Sequence, residues 1–324
     1  MAARLNPPPV EKAEIIDLRR LSARDLEPLL REETAVWREE LDWDFEKSAD
    51  LVRRFVDLRA LNGSGLVVAG RIAGYLYYVL EESKGLIGDL YLHRAAREVE
   101  HENLLLEWAL DAMWSNPYIS RIESQLLMLD YAPGRVVPRR GHTNAYERNF
   151  MRADLRTADL REGVVRRPMY VEKWSDLYQE PAAQLIAAAY AGHVDSLIND
   201  QYRSVGGARR FLFNIVQYPG CGNFYPPASY GAFEALSARL CGVSLASLVA
   251  ADCGHITQIC VSPDVRGTGI GHELLRRSMT TLRDMGCRYV SLTVTAANAE
   301  AVSLYERVGF RTVRRFGAYV WERG

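Results

Sequence analysis

The chain has 324 residues, 48% hydrophobic and 25% charged, with 40 basic against 41 acidic side chains and a formal net charge of -1. That length is about twice the roughly 100–200 residues of one domain and predicts two domains, while the even charge balance leaves no field to favour nucleic acid or an anionic membrane. No apolar run nears the roughly 18 residues of a bilayer span, and the opening MAARLNPPPVEK lacks the apolar centre of a signal peptide, so a cytoplasmic protein is expected.

After a proline-rich lead, residues 1–12, EIIDLRRL predicts a strand. Ser22 and Asp25 then stand in capping-box relation before Leu26, Leu29, Leu30, Val36 and Trp37, the pattern of an amphipathic helix. Beyond the break at Asn62 to Gly65, the runs LVVAG, GYLYYVLEE and LIGDLYLH predict three strands, and Asn103 to Trp114 a helix. RIESQLLMLD and RGHTNAYERNFMRADL follow as strands. RTADLREGVVRRP, residues 156–168, is polar and proline-terminated and suits a linker.

The second half repeats that order: the strand MYVEKW, helical material from Tyr178 to Val216, and the strands YGAFEAL, CGVSLASLVAA and HITQICVS. A helix from Gly271 to Met285, the strand YVSLTVT, a short helix from Ala299 to Val308 and a last strand pair from Phe310 to Trp321 complete it. Sliding the chain by 169 residues places Leu92 on Val261, Arg97 on Arg266, and Leu105 and Leu106 on Leu274 and Leu275. Tandem copies of one α/β domain are expected, at 13–155 and 169–324. Five cysteines without CxxC or Cys/His ligand spacing predict free thiols and no metal site.

The chemistry concentrates in ITQICVSPDVRGTGIGHELLRRSMTTLRDMG, where a β-branched strand meets a loop with glycines at 267, 269 and 271 and then a helix. Glycines there let backbone approach a bulky anion, and the amides of the first helical turn point at it with the positive end of the helix dipole behind them. The expected ligand is a phosphate or pyrophosphate, with Arg266 adding a charge-assisted contact. A Walker loop needs GK[ST], and a dinucleotide fingerprint needs a glycine where His272 stands and an acid where Thr295 stands, so both fail.

The segment resembles the cofactor motif of the GNAT superfamily of acyltransferases, an arginine or glutamine followed by GxGxG or GxGxA after a strand ending V-x-P. Val261, Pro263, Arg266, Gly267, Gly269 and Gly271 fit it. The resemblance implies an α/β (α+β) fold of two GNAT-like domains, each a mixed, mostly antiparallel central sheet flanked by helices. It further implies that the amides of Val265, Arg266, Gly267, Thr268, Gly269, Ile270 and Gly271 bind the pyrophosphate of acetyl-CoA, and that Ile259, Cys260 and Val261 lie open beside the pantetheine. NAEAVSLYERVGF resembles a second family segment, which implies that Asn298 bonds the pantetheine and Tyr305 protonates the departing thiolate. Seven residues apart, these two share one helical face.

By the same resemblance the reaction is direct attack of an amine, from a small molecule or a peptide, on acetyl-CoA, in a monomer or homodimer; an acyl-CoA sensor without turnover is the other reading. Many family members carry an acid on the strand before the glycine loop, but Gln258 stands there and cannot act as a base. Asp252, His255, Glu234 or a water relay are left as proton acceptors. Acceptor contacts are expected from Tyr190 to Tyr202 and from the loop Gln217 to Tyr230. In the first half Arg97 survives, but Glu98, Glu100 and Glu102 replace the glycines and oppose a pyrophosphate. That copy is expected to be degenerate.

Overall fold

A computed structural model describes residues 13–132, 134–218 and 220–323, so the proline-rich lead lies outside the described residues. The first half holds strands β1 (Glu14–Asp17), β2 (Asn62–Val68), β3 (Arg71–Glu81), β4 (Lys84–Leu92), β5 (Arg121–Asp130) and β6 (Thr143–Asp154), with helices α1 (Ala23–Leu41), α2 (Glu46–Asp57) and α3 (Val99–Trp114). The second holds β7 (Met169–Lys173), β8 (Asn223–Phe224), β9 (Tyr230–Glu234), β10 (Leu240–Ala250), β11 (Cys253–Val261), β12 (Tyr289–Thr295) and β13 (Arg311–Glu322). Its helices are α4 (Gln179–Ala189), α5 (Asp195–Ile198), α6 (Val205–Gln217), α7 (Ile270–Asp284) and α8 (Ala299–Val308).

Helix α1 starts where the sequence places it: the Ser22 N–H donates to the Asp25 carboxylate at 2.8 Å, and Leu26, Leu29, Leu30, Val36 and Trp37 are buried. Helix α3 begins at Val99, four residues before the expected Asn103. Glu100 and Glu102 fall in its first turn, where carboxylates complement the positive end of the helix dipole.

All strands join one sheet in the order β1-β2-β3-β4-β5-β13-β6-β12-β11-β10-β9-β7, with β8 on β10. Each half-sheet therefore takes its sixth strand from the other half of the chain. β13 pairs with β5 from Phe316 to Glu322, β6 pairs with β12 from Arg148 to Asp154, and β13 and β6 pair with each other at the centre. The last segment is one long strand and not the expected pair. Its Gly317 sits inside the strand, where a Cβ would strike the ring of Tyr319, so that glycine relieves crowding and makes no turn.

The sheet also opens. β11 and β12 are parallel and paired only from Cys253 to Ile256 against Tyr289 to Leu292, whereas β12 follows β6 up to Thr295. From Thr257 to Val261, β11 has β10 alone as a partner, and a wedge forms between the diverging strands. The five cysteines are unbridged. No helix among the described residues is long and apolar enough to cross a membrane.

Candidate functional site

A cleft of about 450 Å³ occupies that wedge, between β11, the glycine loop, the start of α7 and α8. Ile259, Cys260, Val261, Val265, Arg266, Gly267, Gly269, Ile270, Gly271, Asn298 and Tyr305 all line it. Thr268 does not: its hydroxyl donates to Val265 O at 2.6 Å, and its carbonyl accepts the Arg166 N–H at 2.9 Å.

Not every amide of the loop is free for a ligand. Pro263 to Val265 form a 3₁₀ turn, in which the Val265 N–H donates to Ser262 O at 3.0 Å and the Arg266 N–H to Pro263 O at 3.4 Å. The amides of Gly267, Thr268, Gly269, Ile270 and Gly271 have no backbone partner among the described residues, as expected of a loop and first helical turn. The expected set thus contracts at its amino-terminal end. The Arg266 guanidinium reaches across the cleft to Ala189 O at 2.6 Å, tying the loop to the end of α4.

The three glycines serve different needs. Gly267 and Gly269 hold φ of +74° and +92°, a region that disfavours side chains. A Cβ on Gly269 would also strike Val164 O of the 156–168 segment. Gly271 has no such constraint: a Cβ there would come no closer than 3.9 Å to Leu304 and Val261. What its missing side chain leaves free is cleft volume, which is what a bulky anion at the helix start requires.

Asn298 caps α8 by accepting the Ala301 N–H at 3.3 Å, and its amide nitrogen lies 3.3 Å from Nε2 of His193. Two turns on, Tyr305 is 7% exposed. Burial pushes its hydroxyl above the usual tyrosine range; the Asp195 charge adds to the shift and Arg148 opposes it. At neutral pH the phenol is protonated and available as a donor. Burial likewise lifts the Cys260 thiol to about 12, so it stands beside the cleft as a thiol and not as a nucleophilic thiolate.

None of the three side chains named as proton acceptors lines the cleft. Asp252 sits in a turn with Arg38 at 3.0 Å. His255 is 3% exposed, packed edge-on to Trp43 and bonded to Ser291 at 2.9 Å; burial alone lowers it to about 3, a core histidine held neutral. Glu234 pairs with Arg239 and Arg167, and hydrogen bonding to Arg239 holds its carboxyl low. The alternating pattern of β11 could not tell which of its side chains faced the core.

The sequence reading missed His193, which lies in the expected acceptor region between α4 and α5 and lines the cleft beside Tyr190. Tyr190 stacks on Tyr202 at 4.3 Å, and Gln258 donates to the Tyr190 hydroxyl at 3.1 Å. Of the aromatics in the Gln217 to Tyr230 loop, Tyr230 turns under α7, bonding Thr281 at 2.7 Å. The first half closes its equivalent site from within. Glu102, at the place of the third glycine, is 5% exposed and ion-paired with Arg135.

Comparison with known proteins bears on this geometry. Residues 197–310 match the family described as Acetyltransferase (GNAT) family. A mycothiol acetyltransferase of Corynebacterium jeikeium (strain K411) is 38% identical over 60 residues, 18% of this chain and 17% of that protein. N-alpha-acetyltransferase MAK3 of Arabidopsis thaliana is 35% identical over 66 residues, 20% of this chain and 35% of that one. The matched stretch spans well under half the length of either relative. Among solved structures, a GCN5-related N-acetyltransferase from Sphaerobacter thermophilus superposes with a TM-score of 0.65 at 18% identity, covering 98% of this chain and 97% of that one. A tandem GNAT protein from the clavulanic acid biosynthesis pathway superposes with a TM-score of 0.57 at 18% identity, covering 97% and 99%. These two likenesses concern the fold, and they run the length of the chain.

Proposed function

We propose that this chain, a protein of tandem GNAT layout, transfers an acetyl group from acetyl-CoA to a primary amine by direct attack, using the cleft of its second half. The observation that carries the reading is convergence: the free amides of Gly267, Gly269, Ile270 and Gly271, the unpaired edge of β11, Asn298 and the Tyr305 phenol all meet in one wedge. Its volume sits within the roughly 300–1,000 Å³ of small-ligand clefts. The open space at Gly271 fits a pyrophosphate on the helix start, and the β11 edge offers its spare backbone groups to an extended amide chain such as pantetheine.

Bound there, acetyl-CoA supplies a thioester carbon open to attack. The protein's part is to place that carbon beside the amine and to give the departing sulfur a proton. A CoA thiol resembles cysteine, with a pKa near 8.5, below that of a phenol, so the phenol serves by hydrogen-bonding the departing sulfur at contact distance and passing it a proton as the carbon–sulfur bond breaks. Tyr305 is the donor in this scheme. An acyl-cysteine route is disfavoured, because the Cys260 thiol stays protonated.

The acceptor is a small-molecule or peptide amine. A carboxylate on β11 is replaced by Gln258, and that single change favours the other reading, an acyl-CoA sensor without turnover. An acetyl-CoA binding isotherm run beside free-thiol release over a panel of amines separates the two. Binding with thiol release supports transfer; binding with none on any amine supports the sensor.

A further inference from the structure

We propose that His193 is the group that accepts the proton lost by the acceptor amine, held in its accepting form by Asp195, which is anchored by Arg148 from the exchanged strand β6. The inference rests on the acyl-transfer reading above. His193 lines the same cleft as Tyr305 and Asn298, and its side chain is about a quarter exposed. It therefore has what the buried His255 lacks, access to a substrate.

The ring's neighbours decide which nitrogen is free. Asn298 commits its carbonyl oxygen to the Ala301 N–H, so it presents an N–H to Nε2 of His193 at 3.3 Å. The amide N–H of Asp195 approaches Nδ1 at 3.2 Å. Both contacts ask the ring to accept, and a neutral imidazole must carry one proton. Among the described residues the one carboxylate within 4 Å of either nitrogen is that of Asp195, 3.6 Å from Nδ1, a charge contact longer than a hydrogen bond. We assign the proton to Nδ1, facing that charge at the expense of the Asp195 amide contact. This leaves Nε2 with a lone pair that the Asn298 N–H holds in this structure and the acceptor amine must take over.

Asp195 is itself fixed from the other half of the chain. Arg148 donates to its carboxylate at 2.9 Å, to Thr295 at 2.9 Å and to Thr293 at 3.2 Å, and Thr295 also donates to Asp195. Arg148 is nine-tenths buried, and its position follows from β6 lying against β12. Arg148 and Asp195 are positioning residues; His193 is the catalytic one. In the step, the amine nitrogen bonds to the acyl carbon while the carbon–sulfur bond breaks. One nitrogen proton passes to Nε2 of His193, and the sulfur takes the phenolic proton of Tyr305. The imidazolium proton then returns to the phenolate through solvent, leaving an amide and a free thiol.

The test is the tautomer of the neutral ring, read by ¹⁵N NMR of the full-length protein, with the His193 signals assigned by their loss in His193→Gln. The neutral ring should be the Nδ1–H form, and Asp195→Ala should convert it to the Nε2–H form. On any amine the wild type acetylates, His193→Gln should lower kcat by about 10²-fold or more, a far larger effect than any weakening of acetyl-CoA binding through the lost contact with Asn298. An Nε2–H ring in the wild type overturns the proposal, and so does an undiminished kcat in His193→Gln. Acetyl-CoA binding without turnover on any amine removes the acyl-transfer reading and this role with it. Failure to bind acetyl-CoA at all removes the cleft assignment first.

Discussion

The amide nitrogen of Asn298 lies 3.3 Å from Nε2 of His193, so the residue that opens α8 is braced by one from the α4–α5 connection, 105 positions earlier. With the Arg266 guanidinium on Ala189 O, this contact ties the two walls of the cleft together.

The cleft assignment can be tested at Gly271 without disturbing the fold. A Cβ there meets nothing nearer than 3.9 Å and a longer side chain has the open cleft to enter, and replacing a helical glycine is worth up to about 1 kcal/mol in helix propensity. Gly271→Leu should therefore keep or raise Tm while weakening acetyl-CoA binding more than tenfold by calorimetry. Gly269→Ala should do the reverse and cost about 1–3 kcal/mol, since its φ is +92° and Val164 O blocks the Cβ. Unchanged affinity in Gly271→Leu would place the ligand elsewhere.

Tyr305→Phe removes one hydroxyl that bonds to none of the described residues, so the fold should tolerate it. The expected loss is about 10²–10⁴-fold in kcat, with the acetyl-CoA Kd within twofold of the wild type. Because burial and Asp195 raise the hydroxyl, the phenol stays protonated throughout the neutral range and should add no basic limb there. A turnover number equal to wild type would make Tyr305 a packing residue.

How much of this was legible in the sequence follows from how local each part is. RGTGIG sits in one continuous strand–loop–helix, and Asn298 and Tyr305 are two turns of one helix, so residue pattern alone places each group. The cleft's other wall is not local. His193 reaches Asn298 across 105 residues and Arg148 reaches Thr295 across 147, the latter because β6 crosses to lie against β12 while β13 crosses to β5. Periodicity finds those strands but is blind to their partners. It is equally blind to whether His255 or His193 faces the core, since each is one histidine in a mixed segment.

His255 should make stability depend on pH. Its folded pKa, about 3, lies below the unfolded 6.5, so the unfolded chain binds the extra proton between these values. Stability is then full above pH 6.5 and falls as the pH drops through the window, by about 1 kcal/mol at pH 5.5. Glu33 and Asp89, buried together against Tyr75 and raised by burial, act in the opposite sense and lose stability as pH rises. His255→Phe isolates the first effect: the difference in unfolding free energy between pH 7 and pH 5.5, from urea titrations, should shift by that amount. An identical pH slope in wild type and variant would show that the histidine does not titrate with unfolding.

Acetyl-CoA should bind at one site per chain. The first half spends Glu102 on Arg135 where the second half keeps Gly271 open, and Asn103 bonds Val136 O at 3.0 Å, laying the 134–139 segment over the start of α3. The buried Glu102–Arg135 pair fills the space a pyrophosphate would need, and its cation is already paired with a carboxylate. Calorimetry giving a stoichiometry near two would contradict this closure.

The exchange of strands predicts that the second half cannot stand alone. A fragment of residues 156–324 contains the whole cleft lining but lacks β6, so the edge of β12 from Tyr289 to Thr295 is left without its antiparallel partner. It also loses Met151, Ala153 and Leu155, all buried against α7 and β12 in the intact chain. At about 1.5–3 kcal/mol for each large apolar side chain, Met151 and Leu155 alone are worth a sizeable part of the roughly 5–15 kcal/mol of a whole domain. Loss of Arg148 further leaves Asp195 partly buried without its cation, a destabilising change in itself. The fragment should aggregate or associate through the bare strand, and supplying residues 1–155 as a separate chain should restore a folded one-to-one complex, because β13 and β6 then close the sheet again. Sedimentation and thermal melts report the outcome. A monomeric 156–324 fragment with a cooperative melt near that of the full chain would show that β6 is dispensable to the half it completes.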